Sequence, residues 1–398
     1  MLGHIEPKLA SEILTTLPCK INTERVSVYS ALGRVLSADM YSVFPSPPFN
    51  KSPFDGYALR SADCPGRMRI SRKVAAGNDA GPTLGECEAV RIFTGSPVPA
   101  GADLVLKQED VMTENGFVTV EKIFAPDTNV IHIGEDYAAG SLLIKAGTIL
   151  TAGAIGVLSS QGHSTLPVFA KPSAAIISTG SELAEPGFRR PEYGIYNSSA
   201  AAICAFLQGR SIESKYMGIV PDNAEVIAKK INDALNCCDL VITTGGASVG
   251  DYDFALAAAK AVDAEPLFWK VNMKPGGAIL ASVKNGKLLL NLSGNPAAAM
   301  MGLIVVVSPY LKKLCGETIL MPEKIRLPLK YALPKTSAVT RLLRGHLEIC
   351  EGAAIFAENP GRGNGNLSSF DGCDLVGIVP PTKTGLNAGA VIDAIRLK

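Results

Sequence analysis

The sequence predicts a multidomain α/β protein: a central three-layer α/β domain, an N-terminal β-rich domain, an extended connector and a small C-terminal β-barrel-like domain. Three observations carry this. The chain has 398 residues, more than one ordinary domain needs. Residues 171–316 alternate strand-like apolar runs with helix-like ones, the rhythm of a mostly parallel sheet covered by helices. Residues 43–137 and 317–398 instead hold short strand-like runs divided by Gly, Pro, Asn and Asp.

Each element follows in order. Residues 1–42 open on IEPKLASEILTTL, whose apolar positions recur at helical spacing, and 138–170 contain the helix-like GAIGVLSSQG; together they form the expected connector. Residues 43–137 hold the strands AVRIF, DLVLKQEDV and GFVTVEKIF. In 171–316, SAAIIST is a strand and NSSAAAICAFLQ a helix opened by Asn and Ser. SIESKYMGIV is a strand, and DNAEVIAKKINDAL a helix capped by Asp222 or Asn223. DLVITT and LLLNL are buried-type strands, the second running into SGNP and the helix AAAMMGLIVVVSPYLKKL. From 317 onward KIRLPLKYAL, LLRGHLEIC, GAAIFAEN, DLVGIVP and VIDAIRL suit a barrel or sandwich.

Composition narrows the function. Apolar residues make up 47% and charged residues 19%, which fits a packed protein and not a disordered one. A net charge of +1 gives no reason to expect nucleic acid or an acidic membrane as partner. The N-terminal stretch carries charges and no apolar signal core, and the apolar run MMGLIVVV is too short to span a bilayer, so the expectation is a cytoplasmic protein. The nine cysteines show no CxxC spacing and read as reduced, mostly buried thiols; the four histidines lack zinc-ligand spacing.

Ligands of an open parallel sheet sit beyond the carboxyl ends of its strands. Three polar, small-residue loops leave strands there: STGSEL (178–183), TTGGASVGDYDF (243–254) and NLSGNPAA (291–298). In the last, Asn295 can cap the helix and Pro296 suits its first turn, leaving the N–H groups of Ser293 and Gly294 at a positive helix end; the feature serves an anion or simply starts a helix. Glycines 245, 246 and 250 allow close backbone approach, and Asp251 and Asp253 follow as a carboxylate pair suited to Mg²⁺, or as solvated acids of a turn. No Walker A and no GxGxxG fingerprint occurs, which argues against an ATPase or a dehydrogenase. In FWKVNMKPGG, Lys270 and Lys274 on one strand would share a face and could neutralise phosphate or an oxyanion; taken singly they are ordinary surface lysines. Finally, NKSPFDGYA (50–58) sets Asp55 in a stretch stiffened by prolines at 45, 47, 48 and 53, either as a turn aspartate or as a carboxylate held out for chemistry.

In this order, NKSPFDGYA, RIFTGSPVPAGAD (91–103), GED (134–136), STGSEL, TTGGASVGDYDF, KPGG and SGNP resemble the MoeA family, which includes the E domain of gephyrin, over essentially the whole chain. The resemblance implies a MogA-like, molybdopterin-binding central domain. It implies a molybdopterin molybdenumtransferase that takes adenylylated molybdopterin and molybdate and releases AMP with Mg²⁺. It also implies an elongated homodimer whose cleft lies between the α/β domain of one subunit and the DGYA-bearing domain of the other. Asp55 then matches the essential aspartate, orienting or activating the attacking oxygen or holding the cation. Thr94, Asp136, Glu182, Asp222, Lys270 and Lys274 match substrate-site residues, and Asp253 matches a Mg²⁺ ligand. The SGNP loop (Ser293, Gly294, Asn295, Pro296) and the loops carrying Thr179, Gly180, Gly245, Gly246 and Ser248 fall to the pterin phosphate and adenylate.

Two departures from the family pattern remove positive charge. Ile131, His132 and Ile133 stand where many members carry arginines before GED, and Gly277 replaces the second lysine of KPGKP. They leave open a tungstate-inserting paralogue, since tungstate shares the charge and nearly the size of molybdate. They also leave open a non-catalytic molybdopterin-binding or scaffold protein.

Overall fold

The structure is a computed structural model and describes residues 1–246, 254–360 and 366–397. Its contacts form two compact units. The first comprises 1–38, 146–152 and 165–398, and the second 39–145 and 153–164.

The first unit is built on a seven-stranded sheet. Numbered along the chain, its strands are β1 (Leu2–Ile5), β2 (Ser173–Thr179), β3 (Glu213–Val220), β4 (Leu240–Thr244), β5 (Glu265–Val271), β6 (Ile279–Lys284) and β7 (Lys287–Leu292), lying in the order β1-β5-β6-β7-β4-β2-β3. Only β6 runs against the rest. Asn285 and Gly286, both at positive φ (52° and 75°), turn β6 tightly into β7. The edge strand β1 pairs Leu2 with Phe268, so a segment that the sequence groups with the connector joins this sheet.

The sheet is buried on both faces, hence the run of apolar residues in β2 and β4 without polar alternation. Ile176, Ile242, Leu288 and Leu290 pack on one face with α1 (Pro7–Thr16), α2 (Ser198–Gln208) and α5 (Pro296–Leu314). Ala175, Ile177, Val241 and Leu289 pack on the other with α3 (Ala224–Cys237) and α4 (Phe254–Ala261). This is the three-layer arrangement expected. Asn197, Asn223 and Asn295 cap α2, α3 and α5 through their side-chain oxygens; of the two candidates at α3, Asn223 is the cap.

Helix α5 corrects the expectation of a short apolar run. At 19 residues it is long and apolar enough to cross a bilayer by length and composition, yet 83% of its apolar window is buried within the fold, as in a core helix. It contains a π turn at Leu303–Val307. The same unit carries the C-terminal sheet, in which 353–358, 340–350, 375–379, 391–396 and 324–328 pair in succession. Just past the last of these, the Lys330 N–H donates to Phe356 O (2.9 Å), which ties the far edge back to the first strand and closes the ring. The barrel-like expectation is met by that closure.

The second unit holds a six-stranded sheet in which Gly56–Leu59 lies between Leu104–Lys107 and Glu88–Ile92. A side chain at Gly56 would place its Cβ 1.9 Å from Leu106 O, so the residue after Asp55 must be glycine for this strand to enter the sheet. The thiols are more exposed than expected: Cys87, Cys237 and Cys350 lie on the surface, and Cys64, Cys238 and Cys315 are the buried ones.

Candidate active site

In the first unit the carboxyl ends of β2, β4 and β7 meet through backbone. The Gly245 N–H donates to Leu292 O (3.1 Å), and Gly245 O accepts from Asn291 Nδ2 (2.8 Å). Thr179 Oγ1 donates to Thr244 O (3.1 Å). Gly245 has φ +97°, and a Cβ on it would lie 2.3 Å from Thr179 O. A Cβ on Gly294 would lie 3.3 Å from the Gly245 Cα. The glycines are therefore the contact surfaces by which the loops pack, and each loop fixes the next.

Two further loops join this end. The Gly180 N–H donates to Val220 O (3.3 Å), and the Ser181 N–H to Asp222 Oδ2 (3.3 Å), linking the STG turn to the end of β3. Gly180 takes φ +147° and has the Glu182 carboxylate against it. Ser199 Oγ donates to Gly294 O (3.2 Å) from the start of α2. Thr179, Gly180, Glu182, Asp222, Gly245, Ser293 and Gly294 are thus held around one end of the sheet. Gly246 follows at φ +63°. Ser248, Asp251 and Asp253 lie outside the described residues.

Behind the STG turn a network centred on the buried Asn197 ties β2 to α2 and β3. Asn197 Nδ2 donates to Ser178 Oγ (3.0 Å) and to Tyr216 Oη (2.8 Å), while its oxygen caps α2. Burial, and then the hydrogen bond that Tyr216 gives Glu185, hold the Tyr216 phenol well above its ordinary pKa, so it stays a neutral donor. Asn197→Ala removes the cap, one buried bond and one half-buried bond and should cost about 2–3 kcal/mol in denaturant unfolding. Asn197→Asp should recover the cap's share alone; equal losses for both would place the stability elsewhere.

The SGNP turn starts α5 as expected. Asn295 Oδ1 accepts from the N–H groups of Ala297 (3.1 Å) and Ala298 (3.2 Å), and Pro296 takes the first turn. The N–H groups of Ser293 and Gly294 lie upstream of the cap. Ser293, Asn295, Lys270 and Lys274 together line one open cavity of about 370 Å³. The lysines reach it differently from the expected shared strand face. Lys270 stands at φ +65° near the end of β5 with its Nζ 4.5 Å from the centre of the half-buried Trp269 ring. Lys274 belongs to a separate short strand, Met273–Lys274, that pairs with Thr340 and Arg341 of the C-terminal sheet. That pairing borders a second cavity of about 460 Å³ lined by Lys274, Lys335, Arg341 and Arg344. Nothing local in the sequence pointed to these arginines, because a register between residues 274 and 341 brings them there.

Gly277 is required by the backbone. A Cβ at this position would lie 2.4 Å from Val271 O and 2.5 Å from Met273 O. A lysine does not fit this turn as it is folded, so the missing charge is built into the loop.

The second unit positions Asp55, Thr94 and Asp136. Asp55 Oδ1 accepts from both the N–H and the Oγ1 of Thr94, each at 2.8 Å. The Thr94 N–H, then its hydroxyl, then the charge of Arg91 hold the exposed Asp55 carboxyl below its ordinary pKa. Arg91 is itself fixed by Gly56 O (3.0 Å) and Gln108 Oε1 (2.5 Å). Ser52 exchanges bonds with Gly95 and Ser96, tying the Asp55 loop to the TG turn. Asp136 lies on a different tie: its N–H donates to Ser46 O (2.9 Å), and Gly134 N–H to Pro47 O (3.0 Å). Lys51 and Ile131 exchange backbone bonds between the two ties. The ring of His132 lies 3.5 Å from Asp127.

Comparison with known proteins agrees with this layout. Residues 5–162 match the model of the MoeA N-terminal region (domain I and II), and residues 175–313 that of a probable molybdopterin binding domain. A protein named molybdopterin molybdenumtransferase from Staphylococcus aureus (strain MRSA252) is 33% identical over 377 residues, covering 93% of this chain and 90% of its own. A protein of the same name from Staphylococcus epidermidis (strain RP62A) is 31% identical over 383 residues, covering 94% and 91%. Among solved structures, the molybdopterin biosynthesis MoeA protein from Pyrococcus horikoshii aligns with TM-score 0.84 at 28% identity over 99% of both chains. The chain belongs to the MoeA family.

Proposed function

We propose that this chain is a molybdopterin molybdenumtransferase: it takes adenylylated molybdopterin, inserts molybdate and releases AMP. The observation that supports this best is the strand-end cluster. The SGNP turn, whose Gly294 packs against Gly245 of the TGG loop, borders a cavity that also carries Lys270 and Lys274. Two ammonium groups on one cavity beside the start of a helix are what a phosphorylated substrate and an oxyanion require.

Asp55 carries the chemistry of the phosphate link. A general base works best with a pKa near the working pH. Thr94 holds Asp55 lower, which favours orientation of the attacking oxygen or retention of a cation over proton abstraction. Its carboxylate is a hard oxygen donor suited to Mg²⁺, which takes one or two carboxylates plus substrate oxygens. Among the described residues no three His, Cys, Asp or Glu side chains come together, so these residues offer no all-protein cage. Asp55 and Asp253 are the residues that would hold Mg²⁺, which neutralises developing phosphate charge when bound. In this reading Thr94 and Asp136 act with Asp55, Glu182 and Asp222 with the STG turn, and Gly246 and Ser248 with the adenylate. The working form is a cytoplasmic homodimer in which the Asp55 group of one subunit completes the strand-end group of the other.

The test is AMP release from adenylylated molybdopterin with Mg²⁺, titrating molybdate and tungstate in parallel. Release that depends on an oxyanion supports the transferase, and the half-saturating concentrations rank the metals. Binding of the adenylate without release under either oxyanion would leave a carrier. Lys274→Ala should raise the half-saturating molybdate concentration by on the order of tenfold with little effect on folding. An unchanged titration would return Lys274 to an ordinary surface charge.

A further inference from the structure

Beneath Gly245, on the face covered by α3 and α4, lies a cavity of about 10 Å³, space for one water. Thr179, Thr243, Gly245, Ser282, Leu289 and Asn291 line it. Two fully buried polar atoms at this cavity, Ser282 Oγ and Asn291 Oδ1, have no hydrogen-bond partner among the described residues.

The orientation of Asn291 is determined. Its Nδ2 donates to Thr243 Oγ1 (2.9 Å) and to Gly245 O (2.8 Å), which uses both amide hydrogens. Turning the amide over would set its oxygen against the Gly245 carbonyl, so Oδ1 must face away from that carbonyl. Register puts Ser282 opposite Leu289 and Asn291 opposite Leu280, so Ser282 and Asn291 are diagonal neighbours on one face. Leaving both atoms bare costs more than immobilising one water between them.

We propose that this cavity is a binding site for a single structural water, which hydrogen-bonds Ser282 Oγ and donates to Asn291 Oδ1. The water completes the shell of Asn291, the side chain that holds the Gly245 carbonyl. It is therefore a positioning element for the TGG loop, built into the sheet beneath Gly245. Ser282 and Asn291 are positioning residues and touch no substrate in this reading.

The test is a crystal structure near 1.5 Å resolution, together with water-¹⁷O magnetic relaxation dispersion on the intact protein in solution. The expected result is a density peak within hydrogen-bond distance of both atoms, and one long-lived water that disappears from the dispersion profile in Ser282→Val. An empty cavity, or a protein group occupying it, would overturn the proposal. So would an unchanged water count in a folded Ser282→Val; should that variant fail to fold, the density in the unaltered protein decides. If the water is present, Ser282→Ala should raise the half-saturating concentration of adenylylated molybdopterin about three- to tenfold at unchanged maximal rate. That last readout rests on the proposed function, whereas density and dispersion hold whatever the loops bind.

Discussion

Replacing Asp55 by Ala is expected to lower AMP release at least about a thousandfold while leaving the fold and the binding of adenylylated molybdopterin in place. The carboxylate is exposed and, among the described residues, its hydrogen bonds go to Thr94, so its removal strips no core contact. Its backbone stays pinned, because Asp55 O still accepts from the Gln108 N–H (3.1 Å) and Gly56 remains in its strand. The pH response follows from the depressed pKa. The charged form is present above the ordinary value of 3.8 and is lost only as pH falls through the lower folded value. Asp55 should therefore contribute no limb to the rate profile between about pH 5 and 8. In Thr94→Val the acid limb should move up toward the ordinary carboxyl range. An Asp55→Ala protein with normal turnover would sink the role assigned here.

Gly245→Ala is expected to be nearly as damaging, through geometry instead of charge. The left-handed backbone alone costs about 1–3 kcal/mol for a residue with a Cβ. The new methyl would also meet Thr179 O at 2.3 Å, and backbone cannot swing aside. The loop must move, and its bonds to Leu292 and Asn291 are lost with it. A loss of about 3 kcal/mol or more in stability should accompany a hundredfold or greater weakening of substrate affinity. Gly218 is the control: it has a similar φ of +94° in the same sheet, but nothing lies within 4 Å of its would-be Cβ. Gly218→Ala should show the backbone strain without the collision. Equal losses of stability and affinity at both positions would remove the packing role claimed for Gly245.

Much of the first unit was legible because its signals are local. Asn197 and Asn295 stand where apolar periodicity begins and cap as their chemistry demands. The polar loops after β2, β4 and β7 lie at strand ends because a parallel sheet puts them there. Even the antiparallel strand β6 has a local sign, the Asn285–Gly286 turn, which a strand–helix rhythm passes over. What was not legible depends on distance or on backbone hand. Lys270 and Lys274 were expected on one strand face, but the positive φ at Lys270 and the pairing of Lys274 with Arg341 have no signature in their own neighbourhood. The same pairing hid Arg341 and Arg344. Gly277 read as a lost charge, and only the carbonyls of Val271 and Met273 show why that turn takes glycine.

The pairing of β1 with β5 also bears on how the chain is made. Leu2 leaves the ribosome early and finds its partner only when Phe268 has emerged. The helix that follows β1 waits longer, since Ser11 Oγ donates to Val306 O and Lys313 Nζ to Thr15 O. Contacts of such separation close late, and an apolar segment left waiting is exposed to association with its neighbours. Synthesis of this protein therefore carries a window, from the first helix to the completion of α5, in which the opening segment is unpartnered; removing Leu2–Ile5 should cost the finished sheet its edge and leave that window as long, because α1 still waits for Val306 and Lys313.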